Sequence, residues 1–251
     1  MHRMPVPALA LIVLLVATTA VARAADDIDF TRPPTEGELD DLTRQAGAAL
    51  FAAKLAPAEG LGAPVHVEIQ AGAVGTRIDG DERFWRIATD GDARASTLYA
   101  GRGVVRVGVP AGIDLAAFFE RLPGTNGKVT GGEIKWAFVK GGNAVPAVAV
   151  RLMHARLSGV DSLELKATGL DVSISKGLGP ITPYGGVGRL WLDSDVRDVS
   201  GFPGIRVKSS PGANQVFVGA RLSAGWFRFT VEGQRAAGLT SYAAALGFKF
   251  P

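Results

Sequence analysis

The chain has 251 residues, with 27 Lys plus Arg, 24 Asp plus Glu and no cysteine. That length suits one domain or two small ones, and a hydrophobic fraction of 47% is too high for a disordered chain. The missing cysteines exclude a disulfide scaffold, a thiolate metal site and a cysteine nucleophile.

Residues 1–24 read as a secretory signal peptide. Arg3 supplies the charge, Val6 to Val21 the apolar run, and Ala22-Arg23-Ala24 the small-x-small cleavage pattern before Ala25. Removing Arg3 and Arg23 leaves 25 basic residues against 24 acidic ones, a net charge of +1. The basic pI of the full sequence, near 9.3, therefore gives no support for a nucleic-acid partner. No later stretch runs ~20 residues without charge, so no transmembrane helix is expected. An exported, apolar chain of this kind is either a soluble β-rich periplasmic protein or a barrel in an outer membrane.

The segment 25–62 is expected to be an arm and a periplasmic helix. Residues 26–34 are polar and end in Pro33-Pro34, which suits an extended arm. Thr35 and Glu38 then form a capping-box pattern, with Glu36, Asp40 and Asp41 near the positive helix end. Leu39, Leu42, Ala46, Ala49, Leu50 and Ala53 follow at helical spacing until Pro57 and Gly60 close the segment. The spacing predicts one amphipathic helix over about 35–55, packed on the periplasmic mouth or inside a barrel, or attached only loosely.

From residue 64 the period is 2, and 63–251 is the expected barrel of about ten strands (8–12). Tyr242, Ala244, Leu246, Phe248 and Phe250 share one face, and Ser241, Ala243, Ala245, Gly247 and Lys249 the other. Phe227, Phe229 and Val231 alternate with Arg228, Thr230 and Glu232, and Leu170, Val172 and Ile174 with Asp171, Ser173 and Ser175. Leu190 and Leu192 are read as the apolar face opposite Arg189. The pattern predicts ten strands, near 64–77, 95–109, 113–122, 128–139, 146–157, 163–176, 181–193, 214–224, 227–236 and 240–250. Their connections alternate between tight turns and the long polar loops 78–94 and 194–213, as in transmembrane barrels. Ten strands also leave both termini on the short-turn side.

Alternation alone does not say which face meets water. The export signal, the aromatics near strand ends and polar faces rich in small residues favour the membrane case, an all-β antiparallel transmembrane barrel. Its lumen is expected to hold Glu68, Asp114, Glu120, Glu133, Asp171 and Glu232 against Arg102, Arg106, Lys135, Arg151, Arg189, Arg221 and Arg228. Near-balanced charges in a narrow barrel should pair, which favours a filled interior over an open pore. Tyr99, Phe119, Trp136, Phe138, Trp226, Tyr242, Phe248 and Phe250 are the expected membrane-interface aromatics.

The signal peptide, the dyad-repeat strands and the aromatic terminal strand Tyr242-Ala243-Ala244-Ala245-Leu246-Gly247-Phe248-Lys249-Phe250 together resemble the small outer-membrane β-barrel proteins of Gram-negative bacteria, of the OmpA, OmpW and OmpX type. The resemblance implies outer-membrane lipid as surroundings and the barrel-insertion machinery as an assembly partner. That machinery reads a final aromatic residue; here Pro251 follows Phe250. The class contains pores, adhesins, anchors and a few lipid-modifying enzymes, so it implies a place more than an activity.

Chemistry is sparse. A lipid-modifying enzyme would use a lipid-facing His and Ser, and His154 shares a face with Ser158. Four residues along a strand is about 13 Å, too far for direct contact. Asp79, Asp81, Glu82, Asp90 and Asp92 read as a solvated acidic loop rather than a calcium site, and no cofactor or metal is expected. The reading is a non-enzymatic outer-membrane barrel, structural or a narrow conduit for small solutes. The alternatives are a soluble, lipocalin-like ligand-binding barrel in the periplasm and a lipid-modifying enzyme.

Overall fold

The structure of the protein is a computed structural model that describes residues 30, 32–51, 53–62, 65–88, 96–123, 125–142, 144–160, 162–197, 199 and 202–251. The signal peptide, its cleavage site and the acidic loop's Asp90 and Asp92 lie outside the described residues.

Period-2 alternation makes each strand two-sided, and the strands are β1 (His66–Arg77), β2 (Thr97–Val109), β3 (Ile113–Arg121), β4 (Lys128–Lys140), β5 (Ala147–Ser158), β6 (Leu163–Ser175), β7 (Ile181–Arg197), β8 (Arg206–Ser209), β9 (Gly212–Ala224), β10 (Phe227–Ala236) and β11 (Leu239–Phe250). Neighbours pair in the order β6-β5-β4-β3-β2-β1-β11-β10-β9-β7, and β6 pairs back onto β7. The sheet is thus a closed antiparallel barrel of ten strands, which removes the free edges an open sheet exposes. First and last strands are zipped from Val67↔Phe250 to Arg77↔Thr240. The short β8 stands outside this count, pairing only with the end of β7 from Ser194 to Arg197.

The two ends of the barrel differ. The connections β2–β3, β4–β5, β6–β7 and β9–β10 turn at one end, where β1 begins and β11 finishes. The opposite end carries the connections β1–β2, β3–β4 and β5–β6 and the β7–β8–β9 excursion, which ends at Pro211. One connection there is short: Ala237 and Gly238, both at positive φ (50° and 81°), reverse the chain in two residues. Two stretches expected as plain loops hold structure, namely β8 and a short helix at Arg83–Ala88.

Helix α1 (Glu36–Leu50) starts at the capping box, with the Glu38 backbone N–H donating to the Thr35 hydroxyl and the Thr35 N–H to the Glu38 carboxylate. It lies inside the barrel at the long-loop end: Thr43 and Ser194 share a hydrogen bond of 2.5 Å, the Ser209 hydroxyl donates to Asp40, and the Trp85 indole donates to Gln45. Of the expected placements the one found is inside the barrel, at the end away from the short turns and from Phe250. A Cβ built on Gly47 would fall 2.6 Å from the Leu192 methyls, so glycine here lets helix and wall close up.

Around α1 the barrel interior is apolar. Leu39, Leu42 and Leu50 pack with Val129, Met153, Leu157, Leu165, Leu190 and Leu192 in one buried cluster. Leu190 and Leu192 therefore face inward, and Arg189 is exposed on the outside between Val187 and Trp191. Both placements reverse the expectation for this strand.

Candidate functional site: the filled lumen

After Phe51 the chain leaves the helix and runs extended down the barrel toward the short-turn end. Residues 53–61 are fixed by their backbone groups. The Lys54 and Leu55 N–H groups donate to the Glu232 carboxylate at 2.7 and 2.8 Å. Arg221 donates to the Leu55 carbonyl (2.9 Å) and Arg151 to the Ala56 carbonyl (3.2 Å). Lys135 Nζ donates to the carbonyls of Pro57 and Glu59, both at 2.8 Å. Asp114 accepts from the Leu61 N–H, and Lys249 Nζ reaches the Leu61 carbonyl at 2.7 Å. Leu55 sits at φ 52°, a left-handed conformation that costs a leucine about 1–2 kcal/mol and persists because both its backbone groups are clamped.

The side chains that hold this strap also hold each other. Arg106 bridges Glu68 (2.9 Å) and Glu133 (2.8 Å), and Arg221 meets the other oxygen of Glu68 at 3.1 Å. Lys135 pairs with Asp114 at 3.0 Å, and Arg102 pairs with Glu120 while its guanidinium lies 4.0 Å over the Phe118 ring. Arg151 stands 3.9 Å from both Glu133 and Asp171. Tyr184 donates to Glu232 at 2.8 Å. Each charge is out of water, so it is tolerable only with a partner close by.

Of the thirteen residues expected in the lumen, Glu68, Arg102, Arg106, Asp114, Glu120, Glu133, Lys135, Arg151, Asp171, Arg221 and Glu232 are buried inside the wall. Arg228 is half-buried at the short-turn mouth, bonded to the carbonyls of Gly225 and Phe227. Arg189 is outside, as described. Sequence reasoning missed Lys54, Tyr184 and the whole strap; the signal available was Pro57, Gly60 and the uncharged run from Leu61 to Val65 leading into β1.

The outer wall is apolar. Val105, Leu115, Ile134, Leu152, Val172, Val216 and Val218 are all exposed large hydrophobics, a contiguous surface far beyond what a water-facing wall carries. A soluble lipocalin-type barrel would place these inside. The eight expected interface aromatics fall into two groups. Tyr99, Phe119 and Tyr242 lie toward the long-loop ends of their strands, whereas Trp136, Phe138, Trp226, Phe248 and Phe250 lie toward the short-turn end, where Trp226 stacks on Phe248.

The residues of the enzyme alternative do not meet. His154 Nδ1 is 3.0 Å from the Thr168 hydroxyl on the outer wall, while the Ser158 hydroxyl donates to the Lys128 carbonyl. Among the described residues no group of three or more His, Asp or Glu side chains is placed to hold a metal ion.

No family model matches this chain, and no curated protein matches it in sequence. Solved structures do resemble it, and they are outer-membrane β-barrel proteins. The chain is similar to the N-terminal β-barrel domain of OprF from Pseudomonas aeruginosa, at 14% identity over 73% of this chain and 97% of that one, with a TM-score of 0.34. The attachment invasion locus protein Ail of Yersinia pestis matches at 12% identity over 76% and 99%, with a TM-score of 0.39. The translocator domain of the autotransporter NalP from Neisseria meningitidis matches at 11% identity over 86% and 98%, with a TM-score of 0.42.

Proposed function

We propose that this protein is a non-enzymatic outer-membrane barrel closed by its own N-terminal segment: a structural scaffold rather than an open pore. The observation that carries the reading is the strap 53–61, whose backbone is bonded to five members of the luminal network, Asp114, Lys135, Arg151, Arg221 and Glu232. A conduit needs a continuous water path, and here the path is taken by helix α1 in one half and by the strap in the other. The apolar outer wall between two groups of aromatics supports a bilayer position. With the short turns periplasmic, the capped start of α1 faces the outside together with β8 and residues 78–88. The scaffold then presents those elements to the cell's surroundings.

Planar-bilayer recording of the refolded full chain tests this. The expected outcome is no steady current, with rare and weakly anion-selective openings at most. A large, steady, cation-selective current overturns the reading, because it requires a wide channel lined mainly by acids.

A further inference from the structure

On the outside of the wall, the long-loop ends of β3, β4, β5 and β6 carry cations that face one another. Arg121 on β3 is directly opposite Lys128 on β4, and Arg156 on β5 is directly opposite Lys166 on β6. All four are exposed. Directly opposed residues of an antiparallel pair have Cβ atoms about 5 Å apart, and like charges there are destabilising. Two such pairs lie side by side. Among the described residues Arg121, Lys128 and Arg156 have no ion pair; Lys166 has Glu164 at 2.6 Å, which Arg197 shares. Beyond these strands the rim is built differently: on its other side Lys166 faces Asp193 of β7 and Glu164 faces Asp195, while Arg77 and Arg235 both face the neutral Thr240 between them.

The surface below the cations is graded. On β4, β5 and β6 the outward positions toward mid-wall are first Thr130, His154 and Thr168, then Ile134, Leu152 and Leu170. The order along the wall is cation, hydroxyl or imidazole, aliphatic. A lipid lying against the barrel presents phosphate, polar backbone and acyl chain in that same order. Because these side chains point sideways from the wall, their natural occupant is a lipid rather than a soluble acidic partner.

We propose that the outer ends of β3–β6 bind the headgroup of a lipid carrying more than one phosphate, in the leaflet on the long-loop side. One phosphate sits between Arg121 and Lys128 and another beside Arg156 and Lys166. Phosphate oxygens accept charge-assisted hydrogen bonds from guanidinium and ammonium groups, which converts each repulsive pair into a bridged one. The proposal rests on the bilayer position argued above and adds the chemistry of one lipid site.

The test uses the refolded full chain in detergent and native mass spectrometry of lipid retention. The probes are lipid A with two phosphates, the same glycolipid dephosphorylated, and inorganic phosphate. The variants are Lys128→Gln with Arg156→Gln, and, as a control elsewhere on the rim, Arg77→Gln with Arg235→Gln. A heat-dependent gel shift confirms that each variant is folded. The wild type and the control should retain lipid A, and the Lys128/Arg156 variant should lose at least about tenfold in retention, as expected for two cations removed from an anionic surface. Equal retention of the dephosphorylated glycolipid overturns the proposal, as does undiminished binding by the Lys128/Arg156 variant. Binding of inorganic phosphate without lipid A overturns the lipid as the occupant. Recovery of the native protein in the soluble periplasm overturns the bilayer reading and this proposal with it. Outer-membrane recovery with phosphate-blind retention overturns this proposal alone.

Discussion

The two halves of the barrel interior are built on opposite principles within one continuous wall. Toward the long loops, α1 packs its apolar stripe against Val129, Leu157, Leu165, Leu190 and Leu192, and the filling is an ordinary hydrophobic core. Toward the short turns, an extended strap lies in a bed of ion pairs, and its backbone supplies the hydrogen-bond partners that the charged side chains lack. A helix satisfies its own peptide groups and so needs only apolar neighbours. An extended segment leaves its peptide groups open and needs donors and acceptors around it. The charged half of the lumen is where the chain stops being helical, and that is the physical link between the two.

This contrast is broken most severely in the charged half. Glu68→Ala removes the shared partner of Arg106 and Arg221 and leaves two guanidinium groups inside the wall with one neighbour fewer each. The expected loss is about 3–5 kcal/mol, the cost of stranding a buried charge. Urea titration of the protein refolded in vesicles measures it. A loss under about 1 kcal/mol would mean that water reaches this end of the lumen and that the strap does not seal it.

The apolar half should break less. Leu192→Ala deletes a fully buried side chain that touches Gly47 of the helix, and a cost of about 2–4 kcal/mol is expected, in the range of other buried leucine truncations. The same urea titration reads it, and hydrogen exchange should rise first in α1 rather than in the strap. Uniform loosening of both halves would show that they are one cooperative unit.

How legible each half is in the sequence follows from the same contrast. In the charged half every second residue of β1, β2, β4 and β10 is polar or small against an apolar outer face, so Glu68, Arg106, Glu133 and Glu232 stand out. In the apolar half both faces of a strand are greasy. On β7, Trp191 faces out while Leu190 and Leu192 face in, so the pattern of apolar residues carries no phase there and nothing in it marks Arg189 as an outward position. The helix itself was legible from Thr35, Glu38 and the spacing of its leucines. Its end of the barrel was not, because nothing local to a helix says which way the following strap will run. The strap shows no periodic side-chain pattern beyond Pro57, Gly60 and an uncharged run, since Leu55, Ala56, Pro57 and Leu61 are held through backbone atoms.

The smallest effect belongs to the entrance of the apolar half, and it is a pH effect. Arg32 donates to both oxygens of Glu38, at 2.9 and 2.7 Å, Arg83 approaches at 3.3 Å, and the Thr35 N–H adds the capping bond. The hydrogen bonds from Arg32 hold the Glu38 carboxyl at a pKa of about 2 in the folded protein. In the unfolded chain a glutamate titrates near ~4.3. A carboxyl with a depressed folded value stabilises the fold in full above the unfolded value and loses that contribution as pH falls toward the folded one. Docking of the Arg32–Thr35 arm onto α1 should therefore be unchanged above pH ~5 and weaken between ~4 and ~2. The contribution is below about 1 kcal/mol, because Arg32 is partly in water and screens the pair. Limited proteolysis of the arm by an acid protease across that range reads the effect. In Glu38→Gln the arm should be cleaved at one rate throughout, since the titrating group is gone while the capping geometry is kept. If the variant keeps the wild-type pH profile, the acid-sensitive group lies elsewhere, and the entrance is held by the burial of Phe30 against the apolar cluster rather than by charge.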